Sequence, residues 1–339
     1  MIWLSWRQFR AQALTTAALL LAFLAALALT WTQVTGLARD TGFTGCRPNA
    51  CDQAAVQAFR NAVFVHPAGL LYGLGTGLML VLPVLLGIFW GAPLIARELE
   101  TGTYRMILSQ SVSRRRWLLV KLAFGGVAAA LFAGLVSLVL TRWATLIDEA
   151  ETSRISPMTF TSRGIVPIAY ATLAFVLGAI AGQTLRRTLT AMTVTLLVVA
   201  GLQVGAPFAL LHLLGQPVTS VSALEVNNRV SIVVDPKTNM AHVDFNYVIP
   251  GAVILSRSVV TSTGAEFNGS VDPSTCAPRS RPLSDGCQAW LTTQNLSQKI
   301  TYVPGSSFWA LQWRTFGVLI ALTLALSWFS LWWVQRRLA

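Results

Sequence analysis

The chain has 339 residues, 54% hydrophobic and 11% charged, with 25 Lys and Arg against 13 Asp and Glu. A soluble protein of this length carries about a quarter charged residues, so the composition excludes a soluble enzyme or binding domain and places the chain in a bilayer. The formal charge of +12 then reports on topology, and no nucleic-acid partner is expected.

A helix rises about 1.5 Å per residue, so about 20 apolar residues cross roughly 30 Å of hydrocarbon. Residues 1–11 precede any such run. Their apolar Ile2, Trp3, Trp6 and Phe9 can share one helical face and Arg7 and Arg10 another, which predicts an interfacial amphipathic helix. Five spans are expected within residues 12–211, near 13–34, 70–95, 117–140, 165–185 and 188–211, and a sixth near 311–334, followed by a short tail to residue 339. Runs this long without alternation exclude a barrel. Pro83, Pro93, Pro167 and Pro207 fall inside these spans and are expected as kinks, not as extra loops. Tryptophans such as Trp31, Trp90, Trp143 and Trp309 gather near the span ends, where indoles anchor at the interface.

Orientation follows from the basic residues. With a cytoplasmic N-terminus, the short inner segments hold Arg7, Arg10, Arg97, Arg105, Arg114, Arg115, Arg116, Lys121, Arg186, Arg187, Arg336 and Arg337, opposed by Glu98 and Glu100. That is the positive-inside pattern. It predicts a multi-pass plasma-membrane protein with both termini cytoplasmic and the 212–310 segment extracytoplasmic.

All four cysteines, Cys46, Cys51, Cys276 and Cys287, then face the oxidising side, where disulfides are expected. Four cysteines admit three pairings, of which the sequence neighbours Cys46 with Cys51 and Cys276 with Cys287 close the shortest loops. A metal site is the competing idea, but only His66 lies near the first pair. The 212–310 insertion is long enough for a small domain. Residues 229–234 and 241–249 read as strands of a hairpin turning at 235–239, and the Gly-, Ser- and Pro-rich stretch around 268–286 reads as loop. The expected fold is an all-α polytopic membrane protein of six transmembrane helices, with a small β-containing extracytoplasmic domain between helices 5 and 6.

The most informative segment is the charged island between the second and third spans. Positive-inside bias accounts for Arg114, Arg115 and Arg116, but not for Glu98 and Glu100 beside an anionic leaflet; a partner protein of complementary charge would. The run Glu98-x-Glu100-x-Gly102-Thr103, with Ser113-Arg114 and Lys121 after it, resembles the cytoplasmic loop between the second and third helices of ABC-2 type transporter permeases. Trp3 to Arg10 and Trp117 to Leu122 resemble the subgroup common in high-GC bacteria; Ser111, where many relatives have proline, departs from the pattern.

The resemblance implies an exporter half. A second permease chain, identical in a homodimer, would pair with it in the lipid, and two cytoplasmic ATPase subunits would carry ATP and Mg. This chain itself would hold no cofactor or metal and no catalytic residue. By carry-over, Arg97, Glu98, Glu100, Thr101, Gly102, Thr103 and Arg105, within a coupling loop at 97–116, would contact the ATPase. Gly125-Gly126 lacks the lysine of a phosphate-binding loop, so hydrolysis is expected on another polypeptide.

Gly73 and Gly77, Gly178 and Gly182, and Gly201 and Gly205 have the small-residue spacing that lets membrane helices pack closely, and are candidates for the seam between two chains. The spans show essentially no charge at mid-depth, which argues against an ion pump. An amphipathic small molecule, peptide or lipid-like compound such as an antibiotic is the expected cargo, with Met79, Phe89, Phe175, Gln183 and Gln203 as candidate path residues beside membrane lipids. The competing reading is a polytopic sensor or scaffold whose outer domain binds a ligand and signals through the 97–116 loop. An intramembrane enzyme is disfavoured, because His66 and His212 sit at the outer edges.

Overall fold

Backbone amides in hydrocarbon must pair within their own segment, so the apolar runs form helices. A computed structural model describes residues 2–45, 53–102, 113–151, 153–225, 230–234, 240–245, 249, 251–269, 276 and 283–337. Among these, six helical stretches are long and apolar enough to cross a membrane: Leu20–Asp40, Pro67–Glu100, Arg114–Ala150, Val166–Leu185, Thr188–Leu214 and Gly305–Arg336. The first is part of α1 (Ile2–Asp40), which runs without a break, so residues 2–11 form no separate backbone element. A short helix α2 (Gln53–Val65), absent from the expected elements, leads into the second span.

The second span is one continuous helical stretch of three pieces: α3 (Pro67–Leu85), a π-turn (Leu86–Gly91) and α4 (Ala92–Glu100). Pro83 and Pro93 flank the π-turn and cannot donate backbone hydrogen bonds. The Ala92 N–H reaches Gly87 O, one residue further back than in an α-helix, which absorbs the mismatch without opening a loop. Pro207 lies inside α8 (Thr188–Leu214), but Pro167 does not kink its span: it occupies the first turn of α7 (Val166–Leu185), where no N–H is required.

The third span, α5 (Arg114–Ala150), extends ten residues beyond the expected end. Its overrun, with the short helix α6 (Pro157–Ser162) and the start of α7, forms a polar assembly treated below. α7 is the central helix, apolar on every face and packed against α3, the π-turn, α4, α5, α8 and the last helix, α10 (Phe308–Arg337).

The approach of α7 to the second span explains its glycines. A Cβ on Gly178 would strike Gly87 O, one on Gly182 would strike Ala92 O, and one on Gly91 would strike Phe175 O. The Gly178–Gly182 pair is therefore taken up inside the chain and is not free to form a seam with a second copy. Gly73, Gly77, Gly201 and Gly205 are open, with nothing within 4 Å of an added Cβ.

A second compact unit comprises residues 152–155 and 216–307. Its antiparallel sheet has the order β1 (Val218–Ala223), β5 (Ser297–Val303), β4 (Val253–Val260), beside a hairpin of β2 (Val230–Val234) and β3 (Ala241–Phe245). The hairpin is the one read from sequence, with Val234 opposite Ala241; its turn at 235–239 lies outside the described residues. The other strands escaped sequence reading because β1 is exposed along its whole length and β4 carries an irregularity between Ile254 and Ser256.

Helix α9 (Asp285–Thr293) starts where Ser284 Oγ accepts from the Cys287 N–H, and Cys287 is bonded to Cys276. Both cysteines are buried beside Phe267, Leu291 and Ile300. Cys46 and Cys51 lie outside the described residues. Because the bridge closes a short loop in the unfolded chain, Cys276→Ser is expected to destabilise this unit by about 2–4 kcal/mol. Differential scanning fluorimetry with and without a reductant, each on wild type and variant, measures it.

Candidate coupling site

The two polar ends of the helical unit are built differently. At the end carrying Gly102, Arg186 and Arg336, α4 stops because Gly102 takes a left-handed φ of +71° after Thr101, whose N–H and Oγ1 both donate to Arg97 O at 3.0 and 2.8 Å. α5 restarts beyond the connection, with Ser113 Oγ accepting from the Arg116 N–H at 3.4 Å.

Glu98, in the last turn of α4, pairs with Lys121 of α5 at 2.5 Å. The Lys121 ammonium also donates to Leu94 O at 3.1 Å and lies 4.8 Å from the centre of the Trp117 ring. Both side chains of the ion pair are largely buried.

Glu100, two residues on, is exposed and reaches the opposite neighbour. One of its carboxylate oxygens accepts from the Thr188 N–H at 3.0 Å and from Thr188 Oγ1 at 2.6 Å, capping the first turn of α8. The tight Arg186-Arg187 connection makes this possible: Arg186 adopts a left-handed φ of 55°, uncommon for a non-glycine residue, and α8 begins immediately beside α4. Arg97 is exposed on the same end. Thr103 and Arg105 lie outside the described residues.

These contacts correct the premise that Glu98 and Glu100 need a partner protein to account for them. Each is used within the chain, one to tie span 2 to span 3 and the other to cap span 5.

The candidate path residues separate into two groups. Met79 (1% exposed) and Phe175 (0%) are core residues, the Phe175 ring lying against Gly125. Gln183 is buried and bonded both ways to Ser330 of α10, its Nε2 donating to Ser330 O at 3.2 Å and its Oε1 accepting from Ser330 Oγ at 2.6 Å. Phe89, on the π-turn, is exposed, and Gln203 is half-buried.

The opposite end holds the residues that sequence reading missed. Arg163 (1% exposed) donates through Nε to Asp148 Oδ2 at 3.0 Å and through Nη2 to Thr76 Oγ1 at 3.1 Å. Asp148 (2% exposed) accepts a further bond from Tyr72 Oη at 2.8 Å. Gln312 of α10 closes the assembly. Its Oε1 accepts from the Ile165 and Val166 N–H groups, both at 3.1 Å, and its Nε2 donates to Phe160 O and Arg163 O at 3.0 and 3.1 Å. Gly164, with φ +70°, gives its carbonyl to Ser137 Oγ and its N–H to Thr141 Oγ1, at 2.6 and 3.0 Å. Five helices, α3, α5, α6, α7 and α10, are thereby pinned together. This charge is buried and paired, and it lies beyond the expected ends of the spans at 140 and 165. Among the described residues, no cluster of His, Cys, Asp and Glu could hold a metal ion.

A family model described as ABC-2 membrane transporter related matches residues 17–210, more than half the chain and all of the α4–α5 junction. The chain belongs to that family. It is a multi-pass transporter permease, and permeases of this family generally work with a cytoplasmic ATPase subunit. No curated protein and no solved structure matches it. The matched region ends before residues 216–307 of the second compact unit and before α10.

Proposed function

We propose that this permease is the membrane half of an ATP-driven exporter, with two cytoplasmic ATPase subunits bound at residues 97–116 and ATP and Mg held on those subunits. The observation that carries the reading is the α4 terminus, where one helix end bonds to span 3 through Glu98 and to span 5 through Glu100. A subunit that displaces this end acts on three spans at once. Nucleotide binding would then shift the population between inward- and outward-facing packings through differential contacts at the loop. Arg97, Thr101, Gly102, Thr103 and Arg105 complete the contact surface.

The basic end is cytoplasmic on the positive-inside rule, both termini with it, and the 216–307 unit is extracytoplasmic. Two copies of the permease pair in the membrane, with the open Gly201–Gly205 face of α8 as the seam. The cargo is amphipathic, because the helices offer lipid-like surface and place their buried ion pairs toward the ends, away from a continuous charged path.

Reversing both carboxylates tests the reading. The Glu98→Lys, Glu100→Lys permease is expected to lose its ATPase subunit on affinity purification from membranes, while the wild-type permease retains a subunit that hydrolyses ATP. A wild-type permease that retains no ATPase, or a reversed one that retains it unchanged, would overturn the assignment.

A further inference from the structure

The 103–112 connection has two legs, α4 entering it and α5 leaving it, and Lys121 joins them at their bases. Lys121 lies seven residues into α5, about 10 Å along the helix axis from Arg114 at the usual rise per residue. From there its ammonium meets Glu98 and Leu94 O, groups on adjacent turns of α4, with the Trp117 ring against it. The pair is largely withdrawn from water, so separating the legs would take the Lys121 ammonium away from its carboxylate in a poorly hydrated site. The exposed contact between Glu100 and Thr188 has no comparable resistance. One of the two attachments of the α4 end is thus stiff and the other soft.

We infer that Lys121 is a positioning residue of the transport cycle, clamping α4 to α5 so that a load on the 103–112 connection moves spans 2 and 3 as one lever. This rests on the proposed grip of an ATPase subunit on the 97–116 loop, taken at Arg97 to Arg105 on the α4 side. Without the clamp, the load bends α4 alone at the π-turn, where Leu86–Gly91 already departs from α-helical pairing and gives a weaker section of span 2. α8 still follows α4, against which it packs directly, but α5 no longer does. The nucleotide cycle then continues without moving span 3.

The test is a distance measurement on the purified permease–ATPase complex in nanodiscs, with spin labels on one protomer. One pair, Leu119→Cys with Trp328→Cys, reports α5 against α10; the other, Leu189→Cys with Trp328→Cys, reports α8 against α10. All three positions are exposed. In the otherwise wild-type complex both distances shift between the nucleotide-free state and ATP with vanadate. In Lys121→Met the Leu189 shift and ATP hydrolysis persist while the Leu119 shift is lost. Lys121→Gln, which keeps a donor for Leu94 O, gives the same result if the Met variant does not assemble. Lys121→Arg, which keeps the charge, retains both shifts. Retention of the Leu119 shift in Lys121→Met or Lys121→Gln, or its loss in all three variants alike, would overturn the role of Lys121. The absence of any nucleotide-driven shift in the wild-type background would instead overturn the ATP-driven reading on which it rests.

Discussion

Arg163→Ala is expected to destabilise the permease by about 3–5 kcal/mol, the usual cost of stranding one member of a buried ion pair. The variant leaves the Asp148 carboxylate, 2% exposed, with the Tyr72 hydroxyl as its one hydrogen-bond partner among the described residues, and it removes the donor to Thr76. Arg163→Lys does not rescue it. A single ammonium cannot reproduce the fork that reaches Asp148 through Nε and Thr76 through Nη2 at the same time. Removing both charges together, as Asp148→Leu with Arg163→Met, costs much less, because no unpaired charge remains. The thermal midpoint of the detergent-solubilised protein, followed by size-exclusion chromatography, ranks the four proteins. Equal midpoints for Arg163→Ala and the double variant would show that the pairing energy does not matter here.

The two ends are tied by different chemistry. Tyr72 and Thr76 of α3, Asp148 of α5, the α6–α7 junction and Gln312 of α10 are joined by buried, mutually satisfied bonds around one ion pair. The basic end is tied by the Glu98–Lys121 ion pair, the exposed Glu100–Thr188 cap, the buried Gln183–Ser330 bonds and the close approach of Gly182 to α4.

Much of this architecture was legible in the sequence because hydrophobic length is a local signal. Six apolar runs give six helices, and the strand alternation around Val243 and Phe245 gives the β2–β3 hairpin. What escaped depends on pairs far apart in the chain. Asp148 and Arg163 fall between the expected spans because the apolar run of α5 weakens before its helix ends, and only the fold shows them meeting Tyr72 and Thr76. Glu100 read as an acid in need of a partner protein because its partner within the chain, Thr188, lies beyond two further spans. Lys121 was visible as part of a motif and as inner positive charge, but neither signal says that its ammonium is withdrawn from water against α4. Gln312 sits at the head of an ordinary-looking apolar helix, and its four bonds go to backbone groups that no side-chain pattern reveals.

The glycine spacings show why such a motif cannot by itself assign an interface, and they yield the second large expected effect. Gly178→Leu places a side chain against Gly87 O and, at 2.9 Å, Ala92 N, all of it backbone on the second span. A clash with a flexible side chain can be relieved by a rotamer change; this one requires α7 to withdraw from the π-turn and α4. Overpacking of cores typically costs about 1–3 kcal/mol and more where backbone must yield, so Gly178→Leu is expected to abolish the monodisperse folded species. Gly201→Leu with Gly205→Leu has the opposite character. Nothing lies within 4 Å of an added Cβ at either position, so the chain is expected to fold with its Cys276–Cys287 bridge intact while the proposed pairing of two permeases across α8 is lost. Fluorescence-detected chromatography separates the outcomes: no defined peak for Gly178→Leu, and a folded peak at half the assembled mass for the α8 variant. An α8 variant that runs at full mass would remove Gly201 and Gly205 from the seam between chains, and a Gly178→Leu protein that behaves as wild type would contradict the close approach of α7 to span 2.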